Sequence, residues 1–259
     1  MDSPCSTIKE NIVVNKRWNQ DPQQVALLNL IKSYGKQKDL QKIITIHADI
    51  LRTSSVSNDI YISTALISAY SKCGNIAKAQ EIFNGLRVQS VVCWNSLISG
   101  YVLNGHGKEA FTLLARMQAQ GLSPNAVTFA CILKACGNMG SIEEGENIHT
   151  EVTKSGLLKK SFVLASALMD MYIKCGALDK AHELFDELHL QNVVLWNTLM
   201  AGYAQLGHTK VIFYLFNKMI VENTVPNDVT FLILLNACSH GGLLEEGQMY
   251  FDMMSNVYC

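Results

Sequence analysis

The residue types that perform chemistry in enzymes are present in this chain, but their spacing matches no catalytic or metal-binding motif. The chain holds eight cysteines and seven histidines in 259 residues. No C-x-x-C pair occurs, and no set of cysteines and histidines has the spacing of a zinc site. No histidine lies with a nucleophile and a carboxylate in a recognised motif. We therefore expect no enzymatic activity, no metal and no cofactor, and we interpret the cysteines as buried thiols of a reduced compartment.

Asparagine and serine side chains recur instead, within a repeated phrase. The segment VVCWNSLISGY, Val91–Tyr101, returns 102 residues later as VVLWNTLMAGY, Val193–Tyr203. The same offset carries Lys72 onto Lys174. An amide such as that of Asn95 offers hydrogen-bond donors and acceptors, whereas a serine hydroxyl is smaller. The chemistry that these positions favour is polar recognition along a repeated surface.

Composition limits the partners of such a surface. Apolar residues make up 49% of the chain and charged residues 17%, which predicts a folded core. The formal net charge is −1, so binding to RNA requires a locally basic groove and not a basic protein. No apolar run reaches the roughly 18 residues that span a bilayer. The first residues include Asp2 and Glu10, and such acidic residues match neither a secretory signal nor an acid-poor transit peptide well.

The elements that position these side chains are predicted to be helical hairpins. Each 102-residue unit divides into stretches such as 60–90, 91–125 and 126–161. In the first stretch, apolar residues with helical spacing predict one helix that ends at Gly74 and a second helix after it. The first stripe comprises Leu66, Ala69, Tyr70 and Cys73, and the second comprises Ala79, Ile82, Phe83 and Leu86. One such hairpin cannot bury both of its apolar faces, so successive hairpins are expected to stack and leave an extended groove.

The phrase W-N-x-L-[IM]-x-G-Y, followed by A-x-x-[LM]-[LF] and a closing Pro-Asn, resembles the pentatricopeptide repeat, and its varying repeat lengths resemble the plant P-L-S subclass. The resemblance implies an all-α, right-handed superhelical solenoid of stacked helix-turn-helix repeats. It divides the chain into an N-terminal arm or degenerate first repeat at residues 1–23 and an array over residues 24–259. The repeats are 24–59 (long), 60–90 (short), 91–125 (P-type), 126–161 (long), 162–192 (short), 193–227 (P-type) and 228–259 (incomplete, long).

In the family that the chain resembles, each repeat faces one RNA base, which is read by the fifth residue of the first helix and the last residue of the repeat. Carried over, these base-reading pairs are Thr64 and Ser90, Asn95 and Asn125, Ser166 and Asn192, and Asn197 and Asn227. The family's usage implies pyrimidines for the Asn/Asn pairs, adenine for the Ser/Asn pair and a purine for Thr64. The long repeats carry Leu28, Ala130 and Leu232 at the fifth position and are expected to accept any base.

Two further sets of residues follow from the same resemblance. The second residue of each repeat matches the family's base-sandwiching position, while packing at the start of a helix is the alternative interpretation. These residues are Tyr61, Val92, Val127, Val163 and Val194. Near the end of a first helix, members of the family contact RNA phosphate. The lysines at this place are Lys36, Lys72 and Lys174, and the alternative is that each complements the helix dipole.

The resemblance implies a sequence-selective, single-stranded RNA-binding protein of a mitochondrion or chloroplast that specifies a transcript for C-to-U editing or RNA processing. Neither the H-x-E nor the C-x-x-C motif of a cytidine deaminase occurs. We therefore expect the chain to lack the C-terminal extension and deaminase domains of the subclass, with a deaminase or editing cofactor supplied in trans. The alternative is a helical-repeat scaffold, like a tetratricopeptide array, that binds an extended peptide or a protein partner.

Overall fold

A computed structural model of the chain describes residues 22–52, 59–188 and 192–257. The predicted N-terminal arm lies outside these ranges, apart from its last two residues, which begin the first helix. Within the described ranges the chain forms helices and turns and no strand. The predicted all-α class is confirmed. Compact packing divides the chain into two units, one ending at Asn104 and the other starting at Gly105.

Over its described residues, unit 1 contains five helices: α1 Pro22–Gln37, α2 Leu40–Arg52, α3 Ile60–Lys72, α4 Ile76–Asn84 and α5 Val91–Leu103. The helices α1, α3 and α5 pack side by side in one row. The second helices, α2 and α4, each contact the first helix before and the first helix after them in the chain. Unit 1 is thus a stack of hairpins in which first helices neighbour first helices.

Unit 2 continues the pattern with nine helices over its described residues. They are α6 Gly107–Ala119, α7 Ala126–Met139, α8 Ile142–Lys154, α9 Phe162–Lys174, α10 Leu178–Glu187, α11 Val193–Gln205, α12 Thr209–Val221, α13 Asp228–Gly241 and α14 Leu244–Val257. The row here is α7, α9, α11 and α13, and a single 3-10 turn, Leu158–Lys160, precedes α9.

Buried aromatic pairs join each hairpin to the next. Phe83 on α4 meets Trp94 on α5 edge to face at 4.7 Å between ring centroids, and Phe185 on α10 meets Trp196 on α11 at 4.6 Å. All four rings are fully buried. The repeated tryptophan of the W-N phrase is therefore a core residue, and only the asparagine after it is a candidate for recognition.

Small residues let the first helices approach closely. A side chain at Gly100 on α5 would lie 2.8 Å from the Cβ of Ser71 on α3, inside van der Waals contact. Ser71 is itself buried and donates its hydroxyl to the Ile67 carbonyl at 2.7 Å, so it has no room to retreat. The glycine of the repeated G-Y pair is required by this contact between α3 and α5.

No helix in the described part of the chain is both long enough and apolar enough to cross a membrane.

Candidate functional site

The last residue of each described repeat is the N-cap of the next first helix. The side chain of Asn227, for example, accepts a hydrogen bond from the Thr230 backbone N–H at 3.1 Å. Such a cap satisfies backbone donors that the helix leaves open. The capping residues are Asp59, Ser90, Asn125, Ser161, Asn192 and Asn227. Sequence reasoning missed this capping role, although Ser, Asn and Asp before an apolar run are its usual signal.

In unit 2, Asn197 and Asn227 contact each other directly. The Asn197 Nδ2 donates to the Asn227 Oδ1 at 3.0 Å. The Thr230 hydroxyl has two acceptors, of which the Asn197 Oδ1 at 2.8 Å is nearer than the Asn227 Oδ1 at 3.1 Å. Thr230 also accepts from the Asn227 backbone N–H at 3.1 Å, which completes a capping box. Both ends of the Asn197 amide are therefore held in place by α13.

The hydroxyl of Ser166 on α9 is held by a different contact. Its Oγ lies 3.1 Å from the Thr198 Oγ1 on α11, and Thr198 donates its own proton to the Val194 carbonyl at 2.8 Å. Ser166 is therefore the donor of the pair, and its lone pairs remain as acceptors. Asn192, the capping residue between these helices, accepts from the Val194 and Leu195 backbone N–H groups at 3.0 and 3.1 Å.

Ser166, Asn197 and Asn227 line one open cavity of about 570 Å³. Val163, Val194 and Val229 line the same cavity. The first helices α9, α11 and α13 provide its walls, so the row of first helices brings together three of the predicted base-reading residues. Asp170 is also in the lining, which leaves this cavity without a net positive charge.

In unit 1, Thr64 and Ser90 meet around a buried thiol. Thr64 donates its hydroxyl to the Ile60 carbonyl at 2.6 Å, and the Cys93 Sγ lies 3.2 Å from the Thr64 Oγ1 and 3.3 Å from the Ser90 Oγ. Cys93 is fully buried and holds the third position of its repeat, as Thr230 does in unit 2. The predicted pair is thus connected through the third residue of the next repeat.

Three lysines line the cavity that holds Thr64 and Ser90. This cavity has a volume of about 980 Å³ and is walled by α1, α3 and α5. Lys32, Lys36 and Lys72 line it, and no aspartate or glutamate among the described residues does. Sequence reasoning missed Lys32, which precedes Lys36 by one helical turn on the same face. A locally basic groove therefore exists in a chain of net charge −1.

The third predicted phosphate residue, Lys174, has a different environment. Its Nζ lies 2.7 Å from the Asp170 Oδ2, one turn earlier on α9. Both side chains are exposed, with 36% of the lysine and 44% of the aspartate accessible. Lys174 therefore brings no net local charge, in contrast to the lysines of unit 1.

The predicted pair Asn95 and Asn125 is divided between the two units. Asn95 on α5 is buried, with 8% of its surface exposed. Asn125 is exposed and caps α7, where its Oδ1 accepts from the Val127 and Thr128 backbone N–H groups at 3.0 and 3.1 Å. At the fifth position of the long repeats, Leu28 is buried, Ala130 is half-buried and Leu232 is exposed.

The predicted base-sandwiching residues are all exposed, so they do not pack into the core. Between 44% and 62% of each is accessible for Tyr61, Val92, Val127, Val163 and Val194. Val229, at the second position of the last repeat, is 51% exposed and was not among the predicted residues. Each of these six lies two residues after a cap, which places it on the first turn of a first helix.

Models of the PPR repeat family match residues 89–138 and 191–240, and models of the PPR repeat match residues 61–90, 163–193 and 229–259. Together these matches cover more than half of the chain. The chain belongs to the pentatricopeptide repeat (PPR) family. The PPR assignment agrees with the stacked hairpins and with the repeated W-N phrase.

Two curated PPR relatives come from Arabidopsis thaliana. One, whose name assigns it to the mitochondrion, is 37% identical over 94% of this chain and 40% of its own length. The other is 31% identical over 98% of this chain and 51% of its own length. This chain therefore spans about half or less of the length of these relatives.

Among solved structures, the crystal structure of the pentatricopeptide repeat protein PPR10 of maize in complex with an 18-nt psaJ RNA element resembles this chain. The TM-score is 0.72, with 20% sequence identity over 96% of this chain and 37% of PPR10. At this identity the likeness shows that the two chains share the PPR fold.

Proposed function

We propose that this chain binds single-stranded RNA along its rows of first helices, with one base opposite each repeat. The observation that carries the proposal is the unit 1 cavity, in which the described residues combine Thr64 and Ser90 with three lysines and no carboxylate. Cationic side chains attract the phosphate backbone, and polar side chains beside them discriminate between bases. The PPR family and the RNA-bound state of PPR10 support the proposal.

The arrangement of side chains supports a base-reading role for the predicted pairs. Asn197 touches Asn227, and Thr64 and Ser90 share the thiol of Cys93, so the fifth residue of a repeat and its last residue act as one polar surface. The exposed residues at each second position provide apolar contact for the faces of the bases. Read from repeat 24–59 to repeat 228–259, the proposed site is 5′-N-R-Y-N-A-Y-N-3′, where R is a purine, Y a pyrimidine and N any base.

We further propose that the chain is part of a P-L-S-type protein that specifies an organelle transcript for editing or processing, with catalysis supplied by a partner such as a deaminase. The alternating repeat lengths support the subclass, and the mitochondrial relative supports an organelle.

Filter binding tests the proposal. In the presence of the chain, the filter should retain RNA from a random single-stranded pool and should not retain peptides from a random pool of extended peptides. Replacing both Lys36 and Lys72 with Gln should weaken RNA retention, because two cations leave the groove. Replacing Lys108 and Lys154 with Gln removes the same charge from the second helices α6 and α8 and should have little effect.

Two outcomes contradict the proposal. RNA retention equal to that of an unrelated acidic protein rejects RNA binding. Retention of peptides in preference to RNA favours the scaffold alternative, in which the Asn and Ser side chains contact peptide backbone amides.

A further inference from the structure

We infer that Thr230 is a third, positioning member of the base-reading unit formed by Asn197 and Asn227, and that its hydroxyl decides which edge of the Asn197 amide faces the base. The inference rests on the proposed function and adds a specificity-determining residue that is not one of the predicted site residues. Thr230 is fully buried, so it acts on the RNA only through the two residues that it contacts, Asn197 and Asn227.

The need for a third residue follows from the chemistry of an amide. An asparagine side chain presents a carbonyl acceptor on one edge and an NH₂ donor on the other, and a half-turn about its last torsion exchanges them. An amide that turns freely offers both edges to a base and discriminates poorly. The amide of Asn197 does not turn freely, because its oxygen receives the Thr230 hydroxyl at 2.8 Å and its nitrogen donates to Asn227 at 3.0 Å.

The fixed orientation leaves Asn197 with a second N–H on the side of the nitrogen. A donor of this kind matches the ring nitrogen and carbonyl acceptors that cytosine presents on its Watson–Crick edge, and the O2 and O4 acceptors of uracil. The geometry therefore points a fixed donor of Asn197 toward the base, while the choice of a pyrimidine over adenine, whose N1 also accepts, rests on the proposed function.

Repeats with a hydroxyl at the fifth position support the inference by contrast. Ser166 is followed at the third position of the next repeat by Leu195, which is fully buried and has no polar atom beyond its backbone. Thr64 is followed by Cys93, a weak donor. A hydroxyl has a single proton that one acceptor holds, as the Ile60 carbonyl does for Thr64 at 2.6 Å and the Thr198 hydroxyl does for Ser166 at 3.1 Å, so neither depends on the third residue of the next repeat for its direction.

The test compares binding of the full chain to two single-stranded RNAs that differ only in the base opposite repeat 193–227, cytosine in one and adenine in the other. The parent chain is expected to prefer cytosine by roughly five- to a hundredfold. Thr230→Val keeps the shape of the side chain and removes the hydroxyl, and should lower this ratio by roughly three- to tenfold, since one hydrogen bond no longer holds the amide. Thr230→Ser keeps the hydroxyl and should retain the ratio.

The control separates the orientation of the Asn197 amide from a general loss of stability. Thr128 completes the same kind of capping box with Asn125 at the start of α7, so Thr128→Val causes a comparable loss of capping at another place. Thr128→Val should leave the ratio at the base opposite repeat 193–227 unchanged. Should Thr230→Val fail to fold by circular dichroism, Thr230→Cys is the second variant, because the chain itself carries a buried cysteine in this position at Cys93. It should also lower the ratio.

The outcomes distinguish this inference from the proposed function. A parent chain that binds both RNAs equally overturns the base-reading proposal and this inference with it. A parent chain that prefers cytosine, together with a Thr230→Val chain that prefers it equally, overturns the role of Thr230 alone. An equal loss of the ratio in Thr230→Val and Thr128→Val also overturns that role and assigns the effect to a general loss of stability.

Discussion

At the scale of single residues, the proposed base-reading side chains do structural work at the same time. The Asn227 oxygen caps α13 and also receives the Asn197 amide, and Ser90 caps α5 while it contacts Cys93. A cap contributes roughly 1 kcal/mol to stability, so substitutions at the last position of a repeat change folding and recognition together. The fifth position does not cap a helix and is the better place to test recognition.

Ser166→Asn should change the base that repeat 162–192 prefers from adenine to a pyrimidine, and Asn95→Thr should change the preference of repeat 91–125 from a pyrimidine to adenine. Each variant alters the hydrogen-bonding groups offered to one base, and a wrong base costs about 1–3 kcal/mol by analogy with DNA readout. Selection from a randomised RNA pool measures both changes. Ser255→Asn, on the outer helix α14, is the matched control and should select the parent's sequence.

The structure refines the expectation for Ser166→Asn. The next repeat offers Leu195 where Thr230 holds the amide of Asn197, so a new asparagine at position 166 should discriminate less sharply than Asn197 does. If Ser166→Asn and Asn95→Thr both recover the parent's bases, the fifth residues do not read sequence.

Residue identity predicted these positions, but it did not predict the contacts among them. The third residue of a repeat belongs to the apolar stripe by its spacing, and Cys93 and Leu195 fit that interpretation. Thr230 is buried as they are, and the structure shows that its hydroxyl forms a hydrogen bond with Asn197. Hydrogen-bond direction depends on a neighbouring helix about thirty residues away in sequence, and local pattern carries no information about that neighbour.

At the scale of helices, tyrosines at equivalent positions of the first helices join successive hairpins. Their hydrogen-bond partners differ from one hairpin to another. His47 on α2 contacts the Tyr70 hydroxyl at 2.9 Å, and His149 on α8 contacts the Tyr172 hydroxyl at 2.8 Å. Tyr101 donates to Gln80 at 3.0 Å in the equivalent place. No histidine lies in a recognised catalytic motif of the sequence, and these contacts give His47 and His149 a structural role.

Burial lowers the pKa of His47 and of His149 below the ordinary value of 6.5. The charge of Lys78 lowers the pKa of His47 further and Glu81 opposes it, while Glu187 and Glu146 oppose the shift at His149. The unfolded chain therefore binds protons near pH 6.5 more readily than the folded chain does. The stability that these residues contribute is present above pH 6.5 and falls as the pH drops through and below that value.

Replacing both His47 and His149 with Gln should make the free energy of unfolding less sensitive to acid. The Gln80 contact with Tyr101 shows that glutamine can accept the tyrosine hydroxyl at such a junction, so the variant keeps the hydrogen bond and loses the titrating group. Between pH 7 and pH 5 the parent should lose more stability than the variant, with solvent screening reducing the share of the half-buried His149. Urea denaturation at both pH values measures the difference.

His240→Gln provides the control for that experiment, because His240 is exposed on α13. It should leave the acid sensitivity of the parent unchanged. If the free energy of unfolding depends equally on pH in the parent and in the double variant, the role assigned to His47 and His149 is contradicted.

Helix periodicity predicted the first helix of repeat 60–90 better than the second. Leu66, Ala69 and Tyr70 are buried, and Gly74 ends the segment with a φ of 80°, as the left-handed position requires. In the second helix the stripe includes Ile82 and Leu86, but both are only half-buried, and the helix ends at Asn84 before it reaches Leu86. A second helix contacts other helices on fewer sides, so its apolar residues are less completely covered. The repeat boundaries themselves stay a prediction.

At the scale of the whole molecule, charge is distributed unevenly although its sum is −1. Over the part of the chain that the structure describes, the lining of the unit 1 cavity has three lysines and no carboxylate, whereas the lining of the unit 2 cavity includes Asp170 and no lysine. Net charge alone predicted weak attraction to RNA and could not locate the exception. The basic lining arises because Lys32, Lys36 and Lys72 share one face of the helix row, which depends on how α1 packs against α3.

This distribution predicts that the phosphate lysines are not equivalent. Replacing Lys36 and Lys72 with Gln should flatten the salt dependence of RNA affinity, since each lost phosphate contact reduces the slope of log affinity against log salt by roughly 0.7 for single strands. Lys174→Gln should reduce the slope by less, because the Asp170 carboxylate at 2.7 Å already neutralises that lysine in the free protein. Asp170→Asn is the matched complement: it releases Lys174 and should strengthen RNA binding and steepen the slope. Filter binding over a series of salt concentrations measures the slope for all three variants.

Equal slopes for the parent and for the variant with both Lys36 and Lys72 replaced would mean that these lysines do not contact phosphate and only complement the helix dipole. A fall in slope at Lys174→Gln as large as that of either unit 1 lysine would instead show that RNA displaces Asp170 and that the ion pair does not limit the contact.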